Sequence, residues 1–192
     1  MQNIIIVIDT ETVTGTYGLL SVGAVVLSRD GGNLETLDTY FGFNNEFDYG
    51  FYFEQQYIYA KRNRVKRKPR YEIESELAGI VRRYGVTTAY AYNARFDKAV
   101  SMSYLPSLQF DWHDLMKPAR QILASEEHYP VYKKLHPHIE LTRSGILKRG
   151  YSVECVGRYL GLPHETHVAI EDAQMETEIA LRLGLFDYAT IC

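Results

Sequence analysis

The sequence predicts a single α/β domain that opens on an antiparallel meander of three strands and closes on a helix lying along the sheet. Three observations predict it. Ile4-Ile5-Ile6-Val7-Ile8 is an unbroken run of β-branched residues, the pattern of a central strand covered on both faces. Asp30-Gly31-Gly32-Asn33 is a hairpin turn whose glycines accept positive φ at little cost. Near the other end, Ala169, Ala173, Thr177 and Ala180 form a small-residue stripe at helical spacing, which lets a helix lie close on a sheet.

The elements follow in order. The first strand runs straight into Asp9-Thr10-Glu11-Thr12, and a polar turn ends at Gly15. Leu19 to Leu27 reads as the second strand, and about Leu34 to Phe43 as the third. Phe47 to Arg70 is compositionally distinct, an aromatic and basic insertion at about 47–70. It is rich in aromatics (Phe47, Tyr49, Phe51, Tyr52, Phe53, Tyr57, Tyr59) and ends in Lys61, Arg62, Arg64, Lys66, Arg67, Lys68 and Arg70. A helix is expected from Glu54 to Lys68, ended by Pro69. Ile73, Leu77, Ile80, Val81 and Tyr84 have helical spacing, and Gly85 closes that helix. Thr87 to Ala91 is a short strand, after which Asn93 is suited to cap a helix.

Leu108 to His113 reads as a further strand, with Asp114 capping a helix from Leu115 to about Ala124. Ser125 to Tyr151 is polar and reads as irregular; His128, His136 and His138 lie in it as loop histidines, with no acid or cysteine at a metal-ligand spacing. Ser152 caps a helix closed by Gly161 and Pro163. The last helix spans about Val168 to Leu183, followed by Gly184.

Composition narrows the class. The chain has 192 residues, 46% of them hydrophobic, enough for one core and a single domain over 1–192. A net charge of −3 provides no global field for a polyanion, so any nucleic-acid contact must come from local clusters. Cys155 and Cys192 lie outside any Cys-x-x-Cys pattern, which points to a reducing setting without a disulfide framework. The opening apolar run lacks a basic flank and is short for a signal peptide, and no later segment approaches a membrane span. A soluble cytoplasmic protein with no membrane partner is expected.

Chemistry enters at the end of the first strand. Residues two apart on a strand point to the same side, so Asp9 and Glu11 present their carboxylates together. Like charges held that close are costly unless neutralised, and a divalent cation does this well. In a chain with 24 acidic residues an Asp-x-Glu triplet is near its chance frequency; its place at the end of a buried strand is what raises it. Asp97 falls in the first turn of the helix after Asn93, where the helix dipole favours an acid. Asp172 lies in the first turn of the last helix. His164 and His167 compete as its partner. Five helical residues would leave His167 and Asp172 about 140° apart, so His167 belongs in the lead-in rather than on the helix.

Asp9-x-Glu11, Asn93-Ala94-x-Phe96-Asp97 and His167-x-x-x-x-Asp172, in this order and context, resemble the three motifs of the DEDDh (DnaQ-like) 3′–5′ exonucleases. Val168 stands where the sister subclass has tyrosine, which indicates the histidine type. Tyr92 stands where the family often has histidine. The resemblance implies an RNase H-like fold, a mixed five-stranded sheet with a three-strand antiparallel meander and two parallel strands, flanked by helices. It implies two-metal phosphodiester hydrolysis with two Mg²⁺ or Mn²⁺ ions held by Asp9, Glu11, Asp97 and Asp172, and His167 as general base. It also implies substrate contacts at Thr12, Leu20, Asn93 and Phe96.

The expected partner is a nucleic acid with a free 3′ end, single-stranded DNA or a DNA 3′ end, cut to nucleoside 5′-monophosphates. The aromatic and basic region has two open readings: a stacking and phosphate-binding surface that includes Lys66 and Arg67, or a solvated helix face. An exoribonuclease or oligoribonuclease, a proofreading module with a polymerase or homodimer partner, and a catalytically silent nucleic-acid-binding domain are the alternatives.

Overall fold

The computed structural model describes residues 4–12, 18–28, 31–41, 51–188 and 190–191, with backbone alone at 51–53 and 190–191. The expected polar turn at Gly15, Asp30 of the hairpin, Phe43, Phe47, Tyr49 and Cys192 lie outside the described residues, as do the side chains of Phe51, Tyr52 and Phe53.

The opening meander is β1 (Ile4–Thr12), β2 (Leu19–Ser28) and β3 (Asn33–Tyr40). Two helices follow, α1 (Phe51–Asn63) and α2 (Arg70–Tyr84), then β4 (Thr88–Ala91), α3 (Ala94–Tyr104) and β5 (Asp111–Asp114). The rest is helical: α4 (Met116–Ile122), α5 (Tyr129–Leu135), α6 (Val153–Tyr159) and α7 (Ala169–Leu183), before a two-residue strand β6 (Thr190–Ile191). The sheet order is β3-β2-β1-β4-β5-β6. β1–β2 and β2–β3 are antiparallel, β1–β4 and β4–β5 parallel, and β6 adds antiparallel to β5. The five expected strands are present in the expected senses; β6 extends the edge beyond them.

The apolar run of β1 is covered on both faces. Ile5 and Val7 join a core built with α4 to α7, while Ile6 and Ile8 join a second core with α2 and α3. All ten residues of β2 are buried. By the two-residue period of a strand, Asp9 and Glu11 continue the row of Ile5 and Val7 and so face α7. The small-residue stripe of α7 works as expected, and its counterpart is Gly23 on β2. A Cβ on Gly23 would lie 2.2 Å from the backbone carbonyl carbon of Ala169 and 2.3 Å from the Ile170 nitrogen. Gly23 is paired with Asp9 in the β1–β2 ladder. The closest approach of the last helix to the sheet therefore falls beside the first acid.

Several boundaries differ from expectation. α1 ends at Asn63 rather than Lys68. Arg64 turns left-handed at φ 57°, and the chain then runs extended along the end of β3, where the Lys68 N–H donates to Tyr40 O and Arg67 bridges Tyr40. A sheet edge offering backbone partners outcompetes continued helix here. The strand expected from Leu108 begins only at Asp111. Helix α4 starts at Met116 with Leu115 rather than Asp114 at its N-cap, and the Met116 N–H donates to Asp114 Oδ1 at 2.8 Å from one residue further out.

The segment 125–151 is not wholly irregular, because it contains α5. Tyr132 anchors that helix, fully buried and edge-on to Tyr159 with ring centroids 5.1 Å apart. His128 and His136 serve structure: His128 Nδ1 meets Tyr159 OH at 2.9 Å and His136 Nε2 meets Cys155 O at 3.1 Å. Among the described residues no helix is long and apolar enough to cross a membrane.

Replacing Gly23 by alanine is expected to destabilise the fold by about 1–3 kcal/mol, the usual cost of overpacking, because backbone rather than a flexible side chain would have to move. Urea denaturation measures this; an unchanged midpoint would show that α7 does not need the glycine.

Candidate active site

The site forms where β1 emerges from the core. Asp9 is partly open to solvent, but its Oδ2 is sealed and accepts no hydrogen bond. Loss of water around Asp9 holds its carboxyl well above the ordinary range, and Glu176, Asp97, Glu11 and Asp172 add to the effect. Glu11 is pushed up to about 8, chiefly by burial and then by the charge of Asp172. β1 is irregular at Glu11/Thr12, so the ladder breaks just after the second acid.

Asp97 reaches the same strand end from α3. Its Oδ1 accepts from the Thr10 N–H at 3.0 Å and from the Thr10 hydroxyl at 2.8 Å. Thr10 alternates with Asp9 and Glu11, so its side chain turns toward α3 while theirs turn toward α7. Asp97 is 3% exposed. Burial raises its pKa to about 7, against the lowering effect of the two Thr10 hydrogen bonds. Asn93 precedes α3 as expected, but its side chain makes no capping bond; its backbone is left-handed at φ 70°, and its carbonyl accepts from Phe96 N. Its role is to turn the chain sharply out of β4, a conformation asparagine tolerates better than most residues.

Asp172 comes from the first turn of α7. The Thr166 N–H donates to its Oδ1 at 3.2 Å, while its Oδ2 is buried with no partner. Burial lifts its pKa to about 7. His167 sits in the lead-in to α7 at φ 57°. Its Nδ1 lies 3.9 Å from Glu11 Oε1 and 3.9 Å from Glu165 Oε1. Glu11, His167 and Asp172 each place a ligand atom within 4.8 Å of the others. His164 instead has an 81% exposed side chain, beside Glu154. Of the two histidines, His167 is the one that the fold brings beside Glu11 and Asp172.

Of the other expected contact residues, Thr12 lies at the irregularity of β1, Asn93 is exposed, Phe96 is half-buried and Leu20 is fully buried. Lys66 and Arg67 are exposed, with Arg67 Nε donating to Phe41 O at 2.7 Å, and Lys68 is paired with Glu76. Three residues went unseen in the sequence. Thr10 is the link to Asp97. Gln56, 2% exposed on α1, donates to the His167 carbonyl at 3.3 Å. Glu176, 2% exposed, accepts from the Tyr92 N–H at 3.0 Å. Its one sequence signal is its place four residues after Asp172, on the same helical face.

The donor set fits a divalent cation. Hard carboxylate oxygens converge from three elements, and two of them, on Asp9 and Asp172, are buried without a hydrogen bond.

The raised acids set a pH dependence for the metal-free protein. An acid whose folded pKa lies above its unfolded value holds its proton better when folded, so stability is greatest below the ordinary carboxylate range and is lost as pH rises. Glu11, Asp97 and Asp172 place the loss between about pH 4 and about pH 8. Urea midpoints measured in chelator should fall across this interval, and less steeply in Asp172→Asn; a rising midpoint would contradict the clustering.

No family model matches this sequence, and no curated protein matches it. Solved structures do. A 3′-exonuclease in 3′-end-specific recognition of a histone mRNA stem-loop superposes with TM-score 0.65 at 13% identity, covering 99% of this chain and 85% of that one. A full-length 3′-exonuclease gives 0.60 at 14%, covering 99% and 62%. The nuclease domain of 3′hExo, a DEDDh family member, bound to rAMP, gives 0.61 at 13%, covering 100% and 96%. At such identities the fold is what is shared: this chain has the RNase H-like architecture of these 3′-exonucleases.

Proposed function

We propose that the protein is a metal-dependent 3′–5′ exonuclease of the DEDDh type, releasing nucleoside 5′-monophosphates from single-stranded 3′ ends. The observation that carries this reading is the convergence of Asp9, Glu11, Asp97 and Asp172 from β1, α3 and α7, with His167 beside Glu11. Nothing about folding calls for so many buried acids in one place, since each costs free energy to bury.

Asp9, Glu11, Asp97 and Asp172 would hold two Mg²⁺ or Mn²⁺ ions, which when bound offset the clustered charge and polarise the phosphodiester. His167 takes a proton from the attacking water as its oxygen bonds to phosphorus and the bond to the 3′-oxygen of the preceding nucleotide breaks. Glu165, whose Oε1 lies 3.9 Å from His167 Nδ1, is the acid beside the ring that is not assigned to a cation. Gln56 fixes the backbone of His167 from α1. The basic stretch that ends α1 is thereby tied to the catalytic loop. Its exposed Lys61, Arg62, Arg64 and Lys66 support the reading of this region as a phosphate-binding surface.

DNA is the first substrate to test. RNA is the second reading, favoured by the two structural neighbours whose ligands are an RNA stem-loop and rAMP.

The decisive experiment follows mononucleotide release from 3′-labelled DNA and RNA strands with Mn²⁺, with Asp9→Asn as control. Release from neither would sink the enzyme reading and leave a binding domain. His167→Ala is expected to lower turnover by about 10²–10⁴ while Mn²⁺ still binds; wild-type turnover would remove it as the base. Neutralising Lys61, Arg62, Arg64 and Lys66 should reduce the salt dependence of single-strand affinity, by about 0.7 in log–log slope for each phosphate that is no longer neutralised. An unchanged slope would make this a solvated face.

A further inference from the structure

Glu176 belongs to neither the family-like motifs nor the apolar core, yet it is 2% exposed at the centre of the molecule. It projects from α7 one turn after Asp172. Of the surrounding carboxylates it acts on Asp9 most strongly, and it acts on Asp97 and Asp172 as well. Its Oε2 accepts from the N–H of Tyr92, the residue between the end of β4 and the left-handed Asn93. Glu176 therefore ties α7, which carries Asp172, to the turn that launches α3, which carries Asp97.

The hydrogen bond alone does not account for a glutamate. Glutamine has nearly the same shape and would offer the Tyr92 N–H a carbonyl oxygen without burying a charge. Burial and the neighbouring carboxylates hold the Glu176 carboxyl well above the ordinary range, so without nearby positive charge it keeps a proton that a glutamine would not need, and its charge is of use only when a cation is present. Two buried carboxylate oxygens of the acids that it acts on, the Oδ2 of Asp172, a residue 3% exposed, and the sealed Oδ2 of Asp9, accept no hydrogen bond and so could ligate a cation.

We infer that Glu176 is a fifth acidic residue of the cation centre. It is a positioning residue that locks the Asp97 turn onto α7 and supplies, behind Asp9, negative charge that strengthens divalent-cation binding. The inference rests on the metal-dependent reading above and adds a residue to it. Glu176 does this without contacting the substrate, so its effect appears in metal affinity before it appears in the chemistry.

The test is calorimetric titration of Mn²⁺ into wild type, Glu176→Gln and Glu176→Leu, with urea midpoints of each in chelator at pH 8. Glu176→Gln keeps the acceptor for Tyr92 and loses the charge. It should bind Mn²⁺ about 10–100-fold more weakly, the usual effect of residues that support metal ligands, and its metal-free midpoint should rise because repulsion is relieved. Glu176→Leu should lose the affinity too, without the gain in midpoint, since the Tyr92 N–H is left unpaired.

Wild-type Mn²⁺ affinity in Glu176→Gln would overturn the inference and leave Glu176 as a backbone clamp; if that variant does not fold, wild-type affinity in Glu176→Leu overturns it equally. Absence of Mn²⁺ binding by the wild type would instead remove the metal reading itself, and this inference with it.

Discussion

The contact on which the site depends is between two backbones. The N-terminal turn of α7 rests on β2 at Gly23, so closely that a Cβ there would fall 2.2 Å from Ala169. Because Gly23 is paired with Asp9, that contact sets the depth at which Asp172 and Glu176 enter the row of acids begun on β1. The alanines along α7 extend the same close fit down the helix. Apolar burial supplies the force that holds it: Ile5 and Val7 below, with Ile170, Ile179 and Leu183 above, in one continuous core.

Hydrophobic packing is thus used to hold together groups that repel one another. Each acid is raised mainly by loss of water and further by its neighbours. Among the hydrogen bonds to them are those from the Thr10, Thr166 and Tyr92 backbone N–H groups and the Thr10 hydroxyl. Such donors orient a carboxylate without supplying a full positive charge to cancel its own. Left-handed backbone at Asn93 and His167, the lead-ins to α3 and α7, adds local strain at the same place. Strain of this kind persists only where surrounding structure imposes it, and it gathers at functional sites.

The region from α1 to the end of the basic run is integrated with the rest more fully than its composition suggests. Gln56 donates to the His167 carbonyl, Tyr59 OH donates to Asp38 on β3, and residues 67–68 run beside Tyr40. A segment that stands apart in the sequence is, in the fold, bonded both to β3 and to the backbone of His167.

Much of the architecture is written locally and could be read from the chain alone. The β-branched run of β1, the left-handed glycines after α2 and α7, and the Ser152 cap each depend on near neighbours in sequence. The ordered motifs named Asp9, Glu11, Asp97, His167 and Asp172 for the same reason, since each is recognised within a few residues. Contacts between distant segments left no such mark. Helix α5 is too short for periodicity to show, and its anchor Tyr132 gains its burial from Tyr159 and α6. α1 stops where β3 offers hydrogen bonds, a competition no local propensity encodes. Glu176 reads as an ordinary surface glutamate until α7 is laid on the sheet. The sequence by itself determined which acids could meet at the end of the first strand. The tertiary structure decided that a fifth joins them, because only close packing of α7 at Gly23 takes that side chain out of water and into their field.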